Sequence, residues 1–135
     1  MISEVEPLPE TNSDTEPWWA ATRERRLVVQ HCRPCGHFQH YPRSLCTRCG
    51  STDLEFVDAS GRGSVYSFTA VHRPPTRAFK APYVVALVRL EEGPTLLTHI
   101  VDSDPAEVRC EMAVEVTWAP LSDGRNLPMF RPVRR

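Results

Sequence analysis

The chain has no apolar run near the ~18 residues that a membrane-spanning helix needs, so a membrane partner is not expected. Its first residues lack the basic start and apolar stretch of a secretory signal, which makes a cytoplasmic address the default. There is no G-x-S-x-G, no phosphate-binding loop and no paired-carboxylate motif, so an independent active site is hard to assemble. Room for long helices is also missing. Of 135 residues 13 are proline, and each proline inside a helix costs it ~3 kcal/mol, which excludes a coiled coil. Apolar content of 41% and charged content of 24% nevertheless exclude a wholly disordered chain. The length suits one domain, or one small domain with an appendage.

The net charge of −1 conceals an uneven distribution. Residues 1–16 carry five acids and no base, for −5, while residues 17–50 carry six arginines against Glu24 alone, for +5. The remaining ten bases and eleven acids leave the rest at −1. The first stretch is too poor in large apolar residues to fold alone and reads as an acidic tail or linker. It is either solvated or laid on its basic neighbour or on a partner.

Asp14-Thr15-Glu16-Pro17 reads as a helix start, with Asp14 or Thr15 capping and Pro17 in the first turn. A short helix through Trp18 and Trp19 then gives way to a strand from Leu27 into Cys32. Two adjacent tryptophans cannot both enter one small core, so one packs inward and the other either caps the core or anchors a partner. From residue 54 the period is two. Strands are expected over 64–71, 83–90, 95–101, 114–118 and 127–133. Val84 to Val88 reads as buried on both sides, and the last strand, bearing proline, as an edge. Tyr66 and Phe68 share a face by spacing and are assigned to the core. Asp104-Pro105-Ala106-Glu107 supplies one helical turn between the third and fourth of these strands. Five strands with a helical turn at that place is the element order of an OB-fold, a small Greek-key barrel.

Cys32-Arg-Pro-Cys35 and Cys46-Thr-Arg-Cys49 lie ten residues apart, each followed by glycine. Two residues between thiols let both sulfurs converge on one ion, and the glycine permits the tight turn that aims backbone N–H groups at them. Cys32, Cys35, Cys46 and Cys49 therefore fit a tetrahedral, closed, structural Zn²⁺ site; iron in a rubredoxin-like site shares the ligand set. Such a site staples a ribbon too small to hold a core. His31, His37 and His40 lie nearby and read as surface residues or as supports around the sulfurs. Cys110 starts a strand without any motif and reads as a buried inert thiol rather than a nucleophile.

The blocks Trp18-Trp19, Leu27 to Cys32, the two C-x-x-C-G knuckles, Tyr41-Pro42-Arg43, Ser60 to Thr69 and Leu127 to Pro132 occur in a familiar order. Over residues 16–133 the chain resembles the family called domain of unknown function 35, a rubredoxin-like zinc ribbon joined to an OB-fold. One departure is Glu111, where the family usually has glycine before the fourth barrel strand. The resemblance implies a mainly β fold with an acidic tail over 1–16, a helix and lead-in strand over 17–31, a zinc ribbon over 32–56 and an OB-fold over 57–133. It also implies company. Family members accompany thiolase-superfamily enzymes, including the aldolases that shorten steroid side chains as acyl-CoA thioesters. The thiolase-like subunit carries the catalytic residues there, and the ribbon/OB subunit docks on it and helps shape the acyl-CoA site. Some relatives are fused to a hot-dog-fold hydratase, and residues 1–16 would suit such a linker.

Three function classes follow. An accessory subunit of an acyl-CoA enzyme would use Trp18, Trp19 and the basic stretch as partner contacts. The loop bearing Arg73, Arg77 and Lys80 would reach CoA or the partner. A nucleic-acid-binding module is disfavoured, because the barrel residues sum to −1 where a basic groove is needed. A small enzyme or carrier would have to act through Cys110.

Overall fold

In the computed structural model, which describes residues 8–73 and 82–133, one helix and eight strands form two sheets. Helix α1 spans Glu16–Arg23. Strands β1 (Val28–Cys32), β2 (Phe38–Gln39) and β3 (Leu54–Asp58) make an antiparallel sheet in the order β2-β1-β3. Strands β4 (Arg62–Val71), β5 (Tyr83–Leu90), β6 (Thr95–Ile100), β7 (Ala113–Pro120) and β8 (Asn126–Pro132) close a barrel in the order β4-β5-β6-β8-β7. A 3₁₀ turn over Pro105–Glu107 sits between β6 and β7, its backbone at Ala106 donating to the Asp104 carboxylate at 2.9 Å. The fold is thus the expected mainly β one, with a four-Cys ribbon and a five-stranded OB barrel.

The helix start is built differently from the sequence reading. Thr15 holds the N-cap position, yet its side chain caps nothing in the helix and accepts instead from the Asn12 N–H at 3.0 Å. The Asn12 side chain takes the N–H groups of Asp14 and Thr15, and its carbonyl accepts from Glu16. Three short polar side chains compete within four positions, and the earliest wins because its turn delivers the chain to Pro17.

Helix α1 joins the two sheets. Trp18 is only 6% exposed and shares one apolar cluster with Leu27, Val28 and Val29 of the ribbon side and Val65, Val88, Val114 and Phe130 of the barrel. Thr22, fully buried, hydrogen-bonds the Trp19 carbonyl, and Asn126 of β8 returns two bonds to Thr22. Arg23 donates to the Asp123 carbonyl at 2.8 Å. These polar contacts are satisfied in pairs, as burial demands.

The barrel corrects three expectations. First, Val84 to Val88 is buried on one face only; Val85 and Leu87 are half-exposed, because β5 lies in a barrel with nothing packed outside it among the described residues. Second, Tyr66 and Phe68 are 48% and 37% exposed rather than core. Val65, fully buried, is the inward residue of β4, so alternation turns Tyr66 and Phe68 outward, and the β4–β5 register slips just beyond it, between Val65 and Ser67. Tyr66 lies under the Arg89 guanidinium at 4.4 Å. Third, β8 is no edge. It pairs along its whole length with β7 and closes the barrel through one parallel bridge, Ile100 to Phe130. Pro128 is tolerated because the β6 side of this seam is held by the Thr98 hydroxyl and the Val101 N–H rather than by a full ladder. Two residues before the shift, Gly63 leaves room for β5: a Cβ there would run into the Arg89 carbonyl.

Residues 109–112 form a turn before β7, so Cys110 does not begin a strand and is exposed rather than buried. Glu111 sits at φ +68°, the left-handed region glycine favours, while its N–H bonds the Val65 carbonyl at 2.7 Å. The departure from glycine is accordingly strained. Glu111→Gly should stabilise the fold by about 0.5–1 kcal/mol, read as a higher urea midpoint at unchanged slope; an unchanged or lower midpoint would refute the strain.

Candidate metal centre and contact residues

Strand β1 ends on Cys32, and the chain turns at Gly36 (φ +79°) so that the Gly36 N–H meets the Cys32 carbonyl at 2.8 Å. The second knuckle repeats this at Gly50 (φ +78°), which bonds Cys46 at 2.9 Å. Both conformations are costly for any residue with a Cβ. The Arg48 and Cys49 N–H groups point at the Cys46 sulfur, at 3.4 and 3.5 Å.

The four sulfurs lie within 4.8 Å of one another, with Cys32–Cys49 at 3.5 Å and Cys35–Cys46 at 3.7 Å. A tetrahedron of Zn–S bonds has an edge of about 3.8 Å, so the donor set fits the ion and is too open for disulfides. Cys32 and Cys46 are buried and Cys35 and Cys49 exposed, and among the described residues these four alone make up the cluster. The backbone shifts the thiols unevenly. The Cys35 N–H pulls the Cys32 thiol down, but burial and the other sulfurs push it up to about 12. Burial pushes Cys46 up, yet the Cys49 and Arg48 N–H groups and the Cys35 and Cys32 thiols bring it down to about 6. With four thiolates the site is a structural zinc centre.

The histidines divide. His31 bonds Glu55 at 2.7 Å, and burial-opposed contact with His31 and Arg33 holds that carboxyl below its ordinary range. His37 meets the Thr47 hydroxyl at 3.2 Å. His40 belongs to neither surface nor sulfurs: it packs beside Trp18 and edge-on to Tyr41, and burial pushes its pKa down to about 4.

Two residues that carry the ribbon were missed. Gln30 and Gln39, both buried, bond each other at 2.8 Å. Gln30 holds both backbone groups of Arg43, and Gln39 accepts from Thr47 and donates to the Leu45 carbonyl. The irregular segment between the knuckles therefore hangs on two amides. The one available signal was a glutamine at an inward position on each of two short strands.

Of the proposed contact residues, Trp18 is core and offers almost no surface. Trp19 stacks edge-on against it at 4.7 Å and lies under the Arg125 guanidinium, also at 4.7 Å, so it caps the core. Arg73 is exposed two residues beyond the end of β4, and Arg77 and Lys80 lie outside the described residues. The basic stretch is partly answered within its own sheet: Arg26 bonds Asp58, and Arg33 bonds Asp53 and reaches Glu55. Among the described residues no helix is long and apolar enough to cross a membrane.

Comparison with known proteins follows this division. The family described as the ChsH2 rubredoxin-like zinc ribbon domain matches residues 19–55, and the ChsH2 C-terminal OB-fold domain matches residues 56–119. A solved structure titled "Ltp2-ChsH2(DUF35) aldolase" overlays with a TM-score of 0.86 at 42% identity, covering 93% of this chain and 98% of that one. A probable enoyl-CoA hydratase alpha subunit of Thermomonospora curvata is 42% identical over 95% of this chain, but the chain spans only 40% of that protein's length. The benzoylsuccinyl-CoA thiolase subunit BbsA of Geobacter metallireducens is 31% identical, over 77% of this chain and 70% of its own.

Two outcomes are expected. Metal analysis should find about one zinc per chain, and Cys46→Ser should lose it together with several degrees of melting temperature; a metal-free chain that keeps its fold under strong chelation would refute the site. For His40, the folded pKa lies below the ordinary ~6.5, so between pH 6.5 and 4 the unfolded chain binds a proton that the folded chain refuses. Stability should fall as pH drops through that window, by up to about 3 kcal/mol from this ring. His40→Phe should lose that share of the slope while keeping whatever the sulfurs contribute. Parallel denaturation midpoints of both chains at pH 7 and 4.5 would exclude it.

Proposed function

Because the chain belongs to the domain of unknown function 35 family, we propose that it is a non-catalytic accessory subunit that docks on a thiolase-like enzyme and helps form its acyl-CoA site. The observation that carries this reading is the near-complete overlay on the chain from the aldolase structure, supported by the relative named as a thiolase subunit. The architecture is consistent with it. Four sulfurs are gathered at a closed metal site, and Cys110 stands exposed and, among the described residues, apart from that cluster. A scaffold of this kind contributes surfaces rather than a nucleophile.

In this reading the reaction of the complex is carbon–carbon cleavage or condensation of an acyl-CoA, with a steroid side chain the first substrate to test. The acidic stretch 1–16, whose last residues from Asn12 on also start helix α1, serves as a tail or as a linker of the kind that joins such domains to a hydratase of the hot-dog fold. The exposed Arg73, with Arg77 and Lys80, contacts CoA or the partner, and Trp19 contributes at the helix end. The cytoplasm is the compartment that keeps four ligand thiols reduced.

The test is co-expression with the thiolase-like protein encoded beside it. A stable complex, with acyl-CoA cleavage or condensation present in the complex and absent from this chain alone, is the expected result. Turnover by this chain alone would overturn the reading, as would tight, salt-dependent binding to single-stranded nucleic acid without any thiolase partner.

A further inference from the structure

The four sulfurs do not face solvent equally. Each knuckle contributes one buried sulfur, Cys32 or Cys46, and one exposed sulfur, Cys35 or Cys49. The N–H groups of Arg48 and Cys49 both point at buried Cys46. Among the described residues no N–H group lies within hydrogen-bond distance of the Cys35 or Cys49 sulfur. A sulfur that holds a metal is a thiolate, the form that attacks electrophiles, and an N–H bond draws charge from it and weakens that attack. The accessible sulfurs are therefore also the unsheltered ones. Each has a second sulfur at hand: Cys49 lies 3.5 Å from Cys32, and Cys35 lies 3.7 Å from Cys46. Both contacts run between the knuckles rather than within one. A disulfide holds its sulfurs about 2.05 Å apart, so each pair has to close by about 1.5 Å. The tips have room for that shift, since no atom lies within 4 Å of where a Cβ would stand at Gly36 or Gly50. Cys110 is exposed as well but stands outside the cluster, with no neighbouring thiolate among the described residues to complete a disulfide.

We propose that Cys35 and Cys49 form a peroxide-sensitive modification site, which oxidation converts into two disulfides across the knuckles, Cys32–Cys49 and Cys35–Cys46, with release of the ion. The exposed thiolate attacks one oxygen of hydrogen peroxide. The S–O bond forms, the O–O bond breaks and hydroxide departs, leaving a sulfenic acid. The buried thiolate of the other knuckle then attacks that sulfur. The S–S bond forms, the S–O bond breaks and a second hydroxide departs. For each disulfide two thiolates lose two electrons and one peroxide gains them. Metal binding needs deprotonated thiols, so a centre whose sulfurs are paired no longer holds the ion. A dithiol reductant restores the four ligands by exchange. The barrel strands close on one another without the ribbon, which confines the change to the ribbon. The inference concerns the chain by itself and does not rest on the accessory-subunit reading.

The zinc-loaded full chain is titrated with hydrogen peroxide. Released zinc is read with a chromogenic chelator too weak to strip the reduced site, and disulfides are mapped by peptide mass. About one zinc per chain should appear together with the two cross-knuckle disulfides, and a dithiol plus zinc should restore the original melting temperature. Limiting iodoacetamide on the zinc-loaded chain should alkylate Cys35 and Cys49 about tenfold faster than Cys32 and Cys46. Cys110→Ser should change none of this, and Cys110 in the wild-type chain reports that the oxidant was active. Zinc retained at a peroxide dose that oxidises Cys110 overturns the proposal. Disulfides within a knuckle, oxidation that the dithiol does not reverse, or equal alkylation of all four ligands overturn it as well. No ligand variant is needed, so a failure to fold cannot mimic any of these results.

Discussion

Four sulfurs have to converge on one point, and the ribbon takes its shape from that demand. Its three strands are short, and residues 40–53 contain almost no regular structure, so no apolar core can hold them. The two knuckles supply the convergence through their left-handed glycines. The buried Gln30–Gln39 pair supplies the rest by satisfying backbone groups of the segment strung between the knuckles. Ion and amides are complementary: the first fixes the tips, the second fixes the span. An unpaired buried amide would cost more than the pair contributes, which explains why both glutamines are fully engaged.

The ribbon in turn depends on the helix to face the barrel in one way. Trp18 enters a cluster that contains both ribbon and barrel residues, and the Thr22–Asn126 bonds clamp the helix to the last strand. The cleft with one wall from each half lies where that packing brings them together.

Much of this was legible beforehand, for identifiable reasons. C-x-x-C-G is a local pattern whose geometry is set within five residues, so the metal ligands could be read directly. Strand positions followed from period two, and Asp104-Pro105 from cap chemistry. Errors arose wherever an outcome depended on a partner far along the chain. Tyr66 and Phe68 do share a face, but it is the outer one, because the barrel closes around Val65 instead. The proline-bearing β8 became the closing strand because the barrel needed one. Cys110 was placed outside by a turn that Glu111 completes under strain.

The sequence by itself determined the metal site, the five strands of the barrel and the uneven charge, since each is written in spacing or composition over a few residues. Tertiary structure alone decided which tryptophan is core and which arginines meet a carboxylate and which a ring. A ring or a guanidinium is defined by what lies across from it, and residues 43, 48 and 89 meet at one cavity only after the ribbon has been folded back against the barrel.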